Sequence, residues 1–127
     1  MLVRYRRVIA LHGTARWQSG QWRIVINSND TWGRQRFSLA HEAHHIVMAP
    51  LATTVFRDGR RSAHYQAERA ADAFAAALLM PRALIKRVFY NHGIRDEYEL
   101  ARRFEVSVAA MRVRLDELRL FEPGATV

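Results

Sequence analysis

Trp22-Arg23-Ile24-Val25-Ile26-Asn27 is followed, after Ser28-Asn29-Asp30-Thr31, by a segment ending Phe37-Ser38-Leu39-Ala40-His41-Glu42-Ala43-His44-His45-Ile46-Val47-Met48. The first run is β-branched and reads as a strand. In the second, Phe37, Ala40, His44 and Val47 or Met48 recur at spacings of three and four, the period of an amphipathic helix. The change of period near Thr31 predicts a helix over 31–48, with Asn27 to Asp30 breaking the strand and supplying cap chemistry. Pro50 is its stop signal. A strand feeding directly into such a helix predicts an α+β fold, a small N-terminal β-sheet packed on the helix.

Toward the N-terminus, residues 3–9 alternate and are β-branched, and Ser19-Gly20 is a turn signal between extended segments, so 1–30 reads as mainly β. Toward the C-terminus, 50–62 reads as a loop with a short strand at 53–56 and a turn at Asp58-Gly59. An alanine-rich helix is expected over 63–80, with Ala67, Ala71, Phe74, Ala75 and Leu78 as its apolar stripe and Phe74, Leu78 and Leu79 assigned to the core. Pro81 ends that helix and can open the next at its first position. That next helix should reach 91, with Gly93 as C-cap. A fourth helix over 96–104 and a fifth over 107–118, capped by Ser107, complete an all-helical second half with a helix-turn-helix-like C-terminal hairpin. The tail 122–127 should fray. The 127 residues have one composition and no repeat, which predicts a single domain over 1–127: a β part (1–30), two helices bearing the chemistry (31–80) and C-terminal helices (81–121).

Half the residues are apolar and a quarter charged, as in a globular protein. With no cysteine, disulfides and thiolate metal sites are excluded. No apolar run nears the ~18 residues of a membrane span. The basic start Met1 to Arg7 lacks the apolar stretch of a signal peptide. A cytoplasmic protein with no membrane partner is the expectation. The net charge of +8 suggests an acidic partner. The arginines are spread from Arg4 to Arg119, however, which argues less for a nucleic-acid site than a cluster would.

His41-Glu42-Ala43-His44-His45 fits the pattern His-Glu-x-x-His. Positions i and i+4 share a helix face, so His41 and His45 can reach one zinc ion. Glu42 lies about 100° around the helix and can serve as general base for water in an open coordination position. A catalytic zinc usually takes three protein ligands. Without cysteine the third should be His or a carboxylate, and Glu68 on the next predicted helix suits it. Asp72, one turn later, can accept the free ring N–H of a ligand histidine and fix its tautomer. One Zn²⁺ per chain is expected; another divalent ion such as Mn²⁺ is compatible with this donor set.

Arg36-Phe37-Ser38-Leu39-Ala40-His41-Glu42 together with Glu68-Arg69-Ala70-Ala71-Asp72-Ala73-Phe74-Ala75-Ala76-Ala77-Leu78-Leu79-Met80-Pro81 resembles the two signature segments of the ImmA/IrrE-type metallopeptidases, which are gluzincin-like. Ile24 to Asn27 and the tail from Leu100 to Ser107 and on through Leu115 extend the likeness to about residues 20–120. The resemblance implies an endopeptidase whose substrate is a helix-turn-helix transcriptional repressor or antitoxin-like regulator, cut in a stress, phage or mobile-element response. Two positions depart from the family pattern. His44 stands where glycine is usual, and Asp72 where asparagine is frequent. The aspartate is at least as good an acceptor; the histidine suits a packing or hydrogen-bonding role off the His41/His45 face.

His64 and Tyr65 precede Glu68 and suit stabilisation of a tetrahedral intermediate from the cleft rim, although exposed loop residues are the commoner outcome. His12 and His92 read as structural or exposed. In the C-terminal hairpin, Arg112, Arg114 and Arg119 could meet phosphates, whereas Met111, Leu115 and Leu118 mark a buried face. The competing function is therefore a non-catalytic DNA- or regulator-binding module with a structural or absent metal. That module is the less favoured reading, because a structural site has no need of a base such as Glu42 beside an open metal position; direct DNA binding is possible but not favoured.

Overall fold

The computed structural model describes residues 1–7, 11–51 and 62–120. Strands β1 (Leu2–Arg6), β2 (Gly13–Gln18) and β3 (Gln21–Asn27) form one sheet in the order β1-β3-β2. β2 and β3 make an antiparallel hairpin closed by Ser19-Gly20, both at positive φ (52° and 78°), as a type I′ turn requires. β1 runs parallel to β3, placing Val3 opposite Ile24 and Tyr5 opposite Ile26. Because side chains alternate across a sheet, Ile24 and Ile26 share a face, and both are fully buried. On that face a methyl group added at Gly13 would lie 3.1 Å from Ile26 Cδ1 and 3.5 Å from Glu42 Cγ, so it is the face turned to the first helix.

That helix, α1, spans Trp32–Met48, with the Thr31 hydroxyl accepting from Arg34 N at its start. The approach from β3 is pinned by short bonds: Asn27 N donates to the His12 carbonyl, Ser28 N to the Arg6 carbonyl, and Asn29 N to Asn27 Oδ1. A 3₁₀ turn over Ala49–Leu51 contains Pro50 and ends the segment. The expected apolar stripe of α1 needs correction. Ala40 is buried, but so is Ser38, while Val47 is 71% exposed.

Helix α2 spans Ala63–Leu79. Its buried positions are Ala71 and Ala75, as the stripe predicts. Phe74 and Leu78, assigned above to the core, are instead 40% and 55% exposed. Phe74 lies to one side of the narrow face that the alanines bury, whereas Leu78 is nearly in line with Ala71 but about two turns further along the helix. The chain falls into two compact units, Met1–Ala75 and Ala76–Val127, and this helix passes from one to the other.

In the second unit, Pro81 is the N-cap, not the first helical residue, of α3 (Arg82–Lys86). The helix then widens into a π turn over Arg87–Asn91, which the sequence pattern does not announce, and Gly93 follows at φ 69°. Helix α4 (Glu97–Phe104) is capped by Asp96 accepting from Glu99 N, and α5 (Val108–Glu117) by Ser107 accepting from Ala110 N. The turn between them places Glu105 in the left-handed region. Met80, Ile85, Phe89, Leu100, Met111 and Leu120 close a core among these elements. The fold is α+β, a small N-terminal sheet followed by helices. The end of the predicted first strand (8–9), the predicted strand at 53–56, the Asp58-Gly59 turn and the 122–127 tail lie outside the described residues.

Candidate metal centre

α1 carries His41 and His45 one turn apart on one face, and α2 carries Glu68 and Asp72 one turn apart. The four side chains meet. His41 Nε2 is 3.0 Å from Glu68 Oε2, His45 Nε2 is 2.7 Å from Glu68 Oε1, and the two Nε2 atoms are 3.1 Å apart. One ligand atom from each of His41, His45 and Glu68 falls within 4.8 Å of the others. Both histidines are partly buried, so the donors sit in a cleft and not on an open surface.

This donor set fits a divalent metal. Two ring nitrogens facing each other at 3.1 Å gain little as a hydrogen bond. They stand at about the separation of two nitrogens on one tetrahedral ion, roughly 3.3 Å for bonds of ~2.0–2.1 Å. Glu68 completes a two-histidine, one-carboxylate set that leaves a coordination position open. On the far side of the His41 ring, Nδ1 lies 2.8 Å from Asp72 Oδ1. Asp72 thereby accepts the Nδ1 proton and leaves Nε2 free as a donor to metal.

Glu42 projects toward β2, where its Cγ faces Gly13. Burial raises the Glu42 carboxyl above its ordinary value; His41 and His45 pull it back down and Glu68 pushes it up. A base raised in this way holds a proton more readily near neutral pH. Gly13 is the contributor that sequence reasoning missed. A methyl group there would be tight against Ile26 and the Val25 carbonyl and in ordinary contact with Glu42. An isolated glycine inside a strand pattern is the signal that could have found it.

His44 lies off the ligand face. Its ring packs on Phe74 with centroids 5.0 Å apart, and its Nδ1 is buried with no hydrogen-bond partner among the described residues. Burial lowers its pKa, and His45 and His41 add to the effect. His64 and Tyr65 are exposed in the first turn of α2, about one turn before Glu68, and are not members of the metal-capable group. His12 is exposed and pairs with Asp30 at 2.7 Å, and His92 is exposed.

The model of the peptidase M78 family, described as an IrrE N-terminal-like domain, matches residues 3–116. The chain belongs to this family. No curated protein matches the sequence. Membership in peptidase M78 makes the function metallopeptidase-type, and His41, His45 and Glu68 form a group that could hold the metal ion of such a function. Among the described residues no helix is long and apolar enough to cross a membrane.

Proposed function

We propose that the protein is a zinc-dependent endopeptidase, acting in the cytoplasm on a helix-turn-helix repressor or antitoxin-like regulator. The observation that carries the reading is the convergence of His41, His45 and Glu68 with Glu42 half-buried beside them. When bound, the metal polarises the scissile carbonyl and acidifies water. Asp72 orients His41 through Nδ1. Glu42 takes the proton of the attacking water at its carboxylate and delivers it to the leaving amine nitrogen. Gly13 lets the β2 backbone lie close to Ile26 and to the aliphatic stem of Glu42. His64 and Tyr65, at the exposed start of α2, are the residues we assign to steadying the developing oxyanion.

The reading in which the C-terminal hairpin binds DNA loses support. Arg112 donates to Glu97 and to the Tyr98 hydroxyl, and Arg114 to the Met80 carbonyl and Glu117, so two of its three candidate phosphate donors have partners within their own unit.

The test mixes purified repressor with zinc-loaded wild type or Glu42→Gln and follows cleavage by mass spectrometry. Wild type should cut at a defined site. Glu42→Gln should retain one zinc per chain and bind the repressor, with cleavage down by ~10²–10⁴-fold. Equal cleavage by both proteins removes Glu42 from the mechanism. Tight binding with no cleavage by either favours a non-catalytic module.

A further inference from the structure

The arginines that are scattered in the N-terminal sequence gather in the fold. β-Pairing puts Arg16 directly opposite Arg23, Arg4 opposite Val25 and Arg6 opposite Asn27. By strand alternation these arginines occupy the sheet face opposite to Ile24 and Ile26. All four line one shallow hollow of about 240 Å³, with Thr14 and Val25 at its floor. Arg4, Arg6 and Arg16 are exposed; Arg23 is half-buried, and its Nε has no hydrogen-bond partner among the described residues. Nor does any described carboxylate form an ion pair with any of the four. Like charges directly opposite on a sheet are destabilising, so an unrelieved Arg16/Arg23 pair is a cost to folding that an anionic ligand would offset.

We propose that this face binds the sugar-phosphate backbone of duplex nucleic acid without reading its sequence. The Cα positions of the four arginines step across the three strands at ~5–8 Å, as strand spacing and rise dictate. Such steps resemble the separation of successive phosphates on one strand. Arginine supplies bidentate donors that match phosphate geometry. Among the described residues no aromatic side chain lines the hollow, so these offer no platform for stacking the bases of a single strand. Among the described residues it also lacks the Trp and Tyr anchors that accompany arginine in protein–protein hot spots, which favours phosphate over an acidic protein as occupant. The whole chain agrees in sign, with a net charge of +8 that includes these four arginines. The proposal uses no residue of the metal centre and stands apart from the peptidase reading.

The test is fluorescence anisotropy of a labelled random-sequence DNA duplex titrated with the full chain over a range of salt. Wild type should bind in the ~10⁻⁶–10⁻⁴ M range typical of non-specific contact, with affinity falling on a log–log salt slope near −3.6 for four phosphate contacts. Arg16→Gln/Arg23→Gln should weaken binding at least tenfold and flatten the slope by about 1.8. Arg4→Gln/Arg6→Gln, which leaves half-buried Arg23 in place, should do the same. The control Arg102→Gln/Arg103→Gln removes equal charge from exposed positions on α4 and should bind like wild type. Equal weakening by the control, or salt-independent wild-type binding, overturns the proposal. So does polyglutamate binding more tightly than duplex at equal salt, which would give the face to an acidic protein.

Discussion

In the unit ending at Ala75, the side chains that converge are His41, His45, Glu68 and Asp72; in the unit that follows, they are Met80, Ile85, Phe89, Leu100 and Met111. Both are meetings of residues distant in sequence, and they use different physics. The second set removes large apolar surfaces from water, and that burial is its contribution to stability. The first leaves imidazoles and carboxylates in a half-wet cleft, where their mutual attraction is weak until a cation joins them. The buried side chains of α1 and α2 in that unit are small: Ser38, Ala40, Ala71 and Ala75. The contrast separates a part of the chain arranged for a ligand from a part arranged for its own packing.

Substitutions in each unit can break this contrast. The largest effect is expected from His45→Ala. It removes one of three donors, so stoichiometric zinc binding and hydrolysis should both vanish, as read by elemental analysis and peptide cleavage. A chelator should lower the melting temperature of wild type, because a ligand at a hundred times its Kd adds about 2.7 kcal/mol to the folded state. It should leave His45→Ala unmoved. Full zinc occupancy in His45→Ala would refute the ligand assignment.

Met111→Ala probes the other unit. Met111 is fully buried, and truncating a buried methionine costs about 2–5 kcal/mol. Denaturant unfolding should show this loss while the folded fraction keeps its zinc. A variant that sheds metal as completely as His45→Ala would erase the distinction drawn above. A smaller effect belongs to Asp72→Ala, which leaves every metal donor in place but frees the His41 ring. Loss of such an orienting partner typically costs 10–100-fold in metal affinity, measurable by competition with a chromophoric chelator. Unchanged affinity would make the 2.8 Å contact incidental.

The legibility of the sequence divides along the same line. The strand-to-helix switch was plain because Thr31 caps α1 where the period changes. His41 and His45 were readable from their spacing alone, since four residues of helix place both rings on one face. Glu68 and Asp72 were legible once their helix was assumed. What failed was part of the apolar face assigned to α1 and to α2. Ser38 is buried, whereas Val47, Phe74 and Leu78 are exposed, because burial depends on which neighbour a helix meets and period alone does not supply that. Gly13 and the arginine face escaped for a related reason. Both exist only once β2 pairs antiparallel and β1 parallel to β3, and sheet order is a long-range property.

The smallest expected effect tests whether charge matters to the second unit at all. At the surface of the C-terminal hairpin, Arg112 donates to Glu97 at 2.6 Å. That hydrogen bond, with the charge of Arg112, holds the Glu97 carboxyl below its ordinary value of 4.5. A carboxyl with a depressed folded-state pKa contributes stability above its unfolded-state pKa. The contribution is lost as pH falls through the folded value, where Glu97 protonates in both states. Wild type should therefore melt slightly above Glu97→Gln near neutral pH, and the two should converge as pH falls below the folded-state value of Glu97. Added salt should narrow the gap at the higher pH, because an exposed pair is screened. The difference should stay well below that of Met111→Ala, since exposed ion pairs add little beside a closed apolar core. A gap that widens on acidification would give the pair the opposite sign. A gap rivalling Met111→Ala would mean that the hairpin depends on its charged groups as the metal centre does on its own, and the contrast between the two units would fail.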